Sequence, residues 1–194
     1  MIVQAATLLL ASVSAQDRTA DDIAVFKAVL DQKVRPEAEQ FAPKDRPPGV
    51  LPLIVSDRTL SRCGPEGAAI PAFGCILRDT EQALDFGRAI TPAVREEFRQ
   101  ALVTRNTVSV AFPIASVGEV IPISPEKRAE VLKATERRTR GFASFALPAY
   151  ASNGQAVVFA RYTCGGLCGI GWYFLLDRSP AGWRVVAQRV VEQS

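Results

Sequence analysis

Histidine is absent from all 194 residues. That removes the side chain most often used as a general base near neutral pH. Neither a Ser-His-Asp triad nor a Cys-His pair can be built. A zinc site would have to draw on all four cysteines or on carboxylates, so no metal site is expected. Phosphate-loop and dinucleotide-binding glycine patterns are missing, and no cofactor is expected. No apolar run approaches the ~18 residues of a membrane span. The charge imbalance is small: 23 Lys plus Arg against 20 Asp plus Glu, a net +3. A field that weak does not attract a phosphate backbone, so no nucleic-acid partner is expected. There is no internal repeat and no low-complexity segment.

What is present reads as an address followed by one domain. Residues 1–15 carry no charged side chain, and their apolar stretch at 5–13 is too short to cross a bilayer. Val13 and Ala15 stand where a signal peptidase needs its flanking residues. A signal peptide is therefore expected over 1–15, with export to the periplasm or beyond, although no Lys or Arg precedes its apolar stretch. Residues 16–194, in a chain that is 48% hydrophobic and 22% charged, suit a single folded domain.

Four cysteines in an exported chain read as disulfides, and four allow three connectivities. Local pairing is expected: Cys63 with Cys75, and Cys164 with Cys168. The first pair encloses a stretch rich in Gly and Pro that has too few periodic apolar residues to hold itself.

Thr19 and Asp22 form a Thr-x-x-Asp helix start, followed by Ile23, Phe26, Leu30 and Val34 on one face. Pro36 and the polar stretch Glu37-Ala38-Glu39-Gln40 are expected to end that helix. Pro47-Pro48-Gly49 marks a loop, and residues 50–55 a short strand weakened by Pro52. Thr91-Pro92 opens a second helix with a buried stripe of Val94, Phe98, Ala101 and Leu102. Residues 107–112 alternate as a strand, 120–123 are extended, and 126–139 form a peripheral third helix. Four strands then follow at 142–151, 155–164, 170–177 and 183–191, joined by short turns, the first carrying Asn153-Gly154. The fold class is thus α+β: a C-terminal four-stranded antiparallel meander covered on one face by about three helices.

The string Cys164-Gly165-Gly166-Leu167-Cys168-Gly169, with Gly171-Trp172 and the later Gly182-Trp183-Arg184-Val185, resembles a group of uncharacterised exported bacterial proteins that end in such a hairpin. The likeness spans residues 142–191. The Gly-Trp-x-Val ending is also similar to the last strand of cystatin-like and nuclear-transport-factor-like curved sheets. The resemblance implies export and a cross-linked hairpin; it brings no activity and no catalytic residue.

Gly165, Gly166 and Gly169 could shape an anion-binding turn of backbone amides, or serve hairpin geometry alone. On a strand, Trp172 and Phe174 share one face and Tyr173 takes the other. One face must be core; the other is a candidate contact surface formed by Tyr150, Arg161, Tyr162, Trp172 and Tyr173, which Trp183 could join. Adjacent Glu96 and Glu97 point about 100° apart on a helix and do not make a catalytic pair. Arg137, Arg138 and Arg140 complement a helix C-terminus. The expectation is a non-enzymatic exported protein that binds an envelope protein or a small ligand through its sheet face or its disulfide-closed loops. The alternatives are a small exported enzyme, using a carboxylate or tyrosine between helices and sheet, and a structural envelope component.

Overall fold

The computed structural model describes residues 15–40, 53–61, 76, 83–111, 120–123, 127, 130, 139–165 and 168–193. Residues 1–14 of the expected leader, the loop at 44–49, Cys63, Cys75, Gly166 and most of the helix expected over 126–139 lie outside them.

The first helix, α1 (Ala15–Val29), begins before Thr19, so Thr19 and Asp22 lie within it and do not cap it. Nothing between Ala15 and Thr19 stops a helix, and the Asp22 carboxylate has a stronger use, described below. Pro36 does not end the helix either. A single π-turn, Leu30–Val34, precedes it, in which the Arg35 amide bonds the Leu30 carbonyl. That widened turn accommodates proline's missing donor and bulky ring, and α2 (Arg35–Gln40) carries on. The stripe read from the sequence survives the irregularity: Phe26, Leu30 and Val34 are buried and Ile23 is partly buried, and Ala38 extends the same face.

Thr91 caps α3 (Pro92–Arg105), its side chain accepting from the Val94 amide at 3.3 Å, with Pro92 as the first helical residue. Val94, Phe98 and Leu102 are buried on one face as expected. No described helix is long and apolar enough to cross a membrane.

The sheet is mixed. β1 (Leu53–Ser56) pairs in parallel with β2 (Val120–Ile123) on one side and β3 (Phe142–Phe145) on the other. β3 and the short β4 (Ala149–Tyr150) both lie antiparallel to β5 (Gln155–Gly165). β6 (Cys168–Ser179) and β7 (Gly182–Gln193) complete the meander, in the order β2-β1-β3-β5-β6-β7. The strand expected over 142–151 is broken between Phe145 and Ala149. There Pro148 lacks a donor, and the Leu147 amide is taken by Asn106 Oδ1 at 2.7 Å. The Asn153-Gly154 turn forms as read, with Gly154 at φ +84°.

Two expectations need correction. Residues 107–111 make no strand: the Arg58–Ala111 bridge is isolated, and Val108 is 61% exposed. The segment's polar groups go to Thr59, whose carbonyl accepts from Ser109 Oγ and whose hydroxyl accepts from the Val110 amide at 3.0 Å. The second correction concerns cover. The helices lie on both faces of the sheet. One core joins Val25, Phe26, Leu30 and Val34 to Phe145, Tyr162, Trp172 and Phe174. The other joins Val94, Phe98 and Leu102 to Phe142, Phe159, Tyr173 and Leu175. The reason is in the strands. Residues 156–160 and 171–176 are buried without a break, as in strands covered on both sides.

Candidate functional site

Of the five aromatic and arginine side chains singled out, three are enclosed. Tyr162 and Tyr173 are fully buried and Trp172 is 4% exposed. Tyr162 donates its hydroxyl to the Arg140 carbonyl. Burial pushes that phenol up to about 12, helped by Glu37 and opposed by Arg140. Tyr173 packs its ring on Phe159 at 5.1 Å, and its hydroxyl has no hydrogen-bond partner among the described residues. Burial first, and Glu192 second, raise it well above the ordinary range. Trp172 packs against Phe174 at 5.7 Å beside a hollow of about 210 Å³ under the π-turn. Arg161 is spent on Glu192 at 3.2 Å.

The cross-linked hairpin tip is present: Cys164 and Cys168 form a disulfide with Cα atoms 5.3 Å apart. The anion-binding turn expected at Gly165, Gly166 and Gly169 includes Gly166, which lies outside the described residues. Gly165 is paired with Cys168 and Gly169 with Thr163 as strand residues.

Tyr150 reaches a larger cleft than the one beside Trp172. This hollow, about 340 Å³, lies where the start of α1 meets the β4–β5 turn and the β6–β7 turn, and Arg18, Asp21, Tyr150, Ser152, Arg178 and Trp183 are among its lining. The Tyr150 and Trp183 rings meet at 5.8 Å. Arg178 lies over Trp183, 5.6 Å from the ring centre, and pairs with Asp21 at 3.0 Å.

Beneath the cleft sits a network that the sequence reading did not find. Arg105, at the end of α3, grips both oxygens of Asp22 at 2.8 and 3.1 Å and donates to the Pro148 carbonyl. Its guanidinium lies 5.3 Å from the centre of the Tyr150 ring. The Tyr150 hydroxyl donates to Asp22 Oδ1 at 2.8 Å. Burial, then the Asp22 charge and hydrogen bond, raise the Tyr150 phenol far above the ordinary range, against the smaller pull of Arg105. At neutral pH it is a fixed donor whose ring, not its hydroxyl, faces outward chemistry. One signal was available: Asp22 lies four residues before Phe26, on the buried stripe, and a carboxylate there needs a partner. The partner's position, 83 residues away, left no local trace.

Apart from Arg18, the other polar side chains at the rim are committed. Ser152 donates its hydroxyl to Glu97 at 3.0 Å, and its amide bonds the same carboxylate at 2.7 Å. Gln155 donates to Asp177 at 2.9 Å. Glu96 turns away and is held at about 2, chiefly by its hydrogen bond from Arg99 and a second from Gln100. The described residues hold no group of three or more carboxylates or cysteines able to bind a metal ion. The arrangement offers the half-buried Tyr150 ring, the small part of Trp183 that stays exposed, one unbalanced cation and a rigid base. No protein-family model, curated protein or solved structure matches this chain.

Proposed function

We propose that this chain is an exported, non-enzymatic binding protein whose small ligand occupies the cleft over Tyr150 and Trp183. The cleft carries the reading. Its volume, about 340 Å³, falls at the small end of the range for small-molecule sites. Its floor is held by the Asp22–Arg105–Tyr150 network. Cover on both sheet faces argues against docking through the sheet face. The disulfide end of the β5–β6 hairpin lies at the other end of those strands and reads as a fastening. Export is supported by the leader-like residues 1–15 and by the Cys164–Cys168 bridge, which persists in oxidising compartments. A tyrosine that keeps its proton suits recognition better than acid–base chemistry.

The test is a thermal-shift screen of the folded protein against small acids, amines and neutral ring compounds. A parallel screen uses Ala151→Phe, which places a ring in the cleft. Compounds that raise the melting temperature of the native protein, fail to do so for Ala151→Phe and are recovered unchanged support the reading. A screen without stabilisers, or stabilisation that persists in Ala151→Phe, overturns it.

A further inference from the structure

We infer that the ligand is a small aromatic acid, a single ring system bearing one carboxylate; this rests on the cleft being the binding site. Most of the polar groups lining the cleft are already paired. Asp21 and Arg178 neutralise each other, with contacts of 3.0 and 3.3 Å. Ser152 and Gln155 already bond Glu97 and Asp177. Tyr150 directs its hydroxyl inward to Asp22. Arg18 is exposed and has no ion-pair partner among the described residues. Among the described residues the cleft therefore holds one surplus positive charge, at its rim, above a surface of carbon atoms from Tyr150, Ala151 and Trp183.

The two halves of such a ligand contribute unequally. A carboxylate on an exposed arginine gains little in water and loses more as salt is added. Ring burial against Tyr150 and Trp183 must supply most of the affinity. The arginine then selects acid over amine and neutral analogue. A guanidinium can grip a carboxylate with two parallel hydrogen bonds, which a neutral hydroxyl cannot match. A ligand of this class satisfies the cleft without opening the Asp21–Arg178 pair.

Calorimetric titration at low salt separates the parts, using naphthoate, naphthalenemethanol, naphthylmethylamine and acetate as probes. The expected result is that naphthoate binds about threefold to fivefold more tightly than the neutral alcohol and more tightly still than the amine. Acetate should give no measurable heat. The preference should shrink as salt rises and vanish in Arg18→Gln, an exposed position whose change leaves the fold intact by circular dichroism. Equal binding of acid and alcohol overturns the acid assignment and leaves the cleft standing. Acetate binding as well as naphthoate overturns the aromatic part. If no ring compound binds, or Ala151→Phe leaves naphthoate binding unchanged, the cleft itself is the wrong site and the inference falls with it.

Discussion

Gly141 shows what one residue can decide. It sits at φ +108°, where L side chains rarely go, and an added Cβ would stand 2.5 Å from the Thr163 carbonyl and 2.6 Å from the Tyr162 ring. Its carbonyl accepts the Ile54 amide at 3.0 Å, so the backbone cannot move away without loosening the junction of β1 and β3. Gly141→Ala is expected to cost about 3 kcal/mol or more, combining overpacking with backbone strain; urea unfolding measures it. The three tyrosines, the chain's whole complement, make a second case. All three are shifted upward, Tyr162 to about 12. Below about pH 10 both folded and unfolded phenols keep their protons, and they add no pH dependence. Between about pH 10 and pH 12 the unfolded chain sheds protons that the folded one retains. Stability should therefore hold to about pH 9 and fall as pH rises past 10. Tyrosinate absorbance should appear only together with unfolding. Phenolate formation in a still-folded protein at pH 10 would contradict the enclosed placement of these rings.

At the scale of elements, the π-turn does more than pass Pro36. It places Gln32 so that its amide donates to the Trp183 carbonyl at 3.2 Å and accepts from the Val185 amide at 3.0 Å. β7 is an edge strand, and one side chain thus pairs with it as a neighbouring strand would. Gln32→Ala is expected to lose about 1–2 kcal/mol. It should also raise light scattering with concentration, because the freed edge can pair with another chain. Elements set by local chemistry were legible in the sequence: the Thr91 cap, the Asn153-Gly154 turn, and the buried stripes of α1 and α3. Elements set by distant partners were not. The start of α1, its passage through Pro36, and the parallel seating of β1 depend on contacts that no short window contains. The cleft followed the same division. Tyr150 and Trp183 stood out by type, whereas Asp21 and Arg178, 157 residues apart, meet only in the folded chain.

For the whole molecule, the decisive fact is that α1 packs against β7, the first described element against the last. The Asp21–Arg178 pair and the Gln32 bonds to Trp183 and Val185 cross the same seam. One of the two cores therefore lacks a wall until β7 is in place. A chain ending at Ser179 should show no cooperative thermal transition, while its helices still register by circular dichroism. A sharp transition in that fragment would mean the seam is dispensable. A ribosome reads this chain from the end that must wait longest. Helix α1 emerges with its apolar stripe uncovered and finds its binding surface only once β7 has been made. Until then the nascent polypeptide has reason to stay pliable and to need a chaperone's shelter.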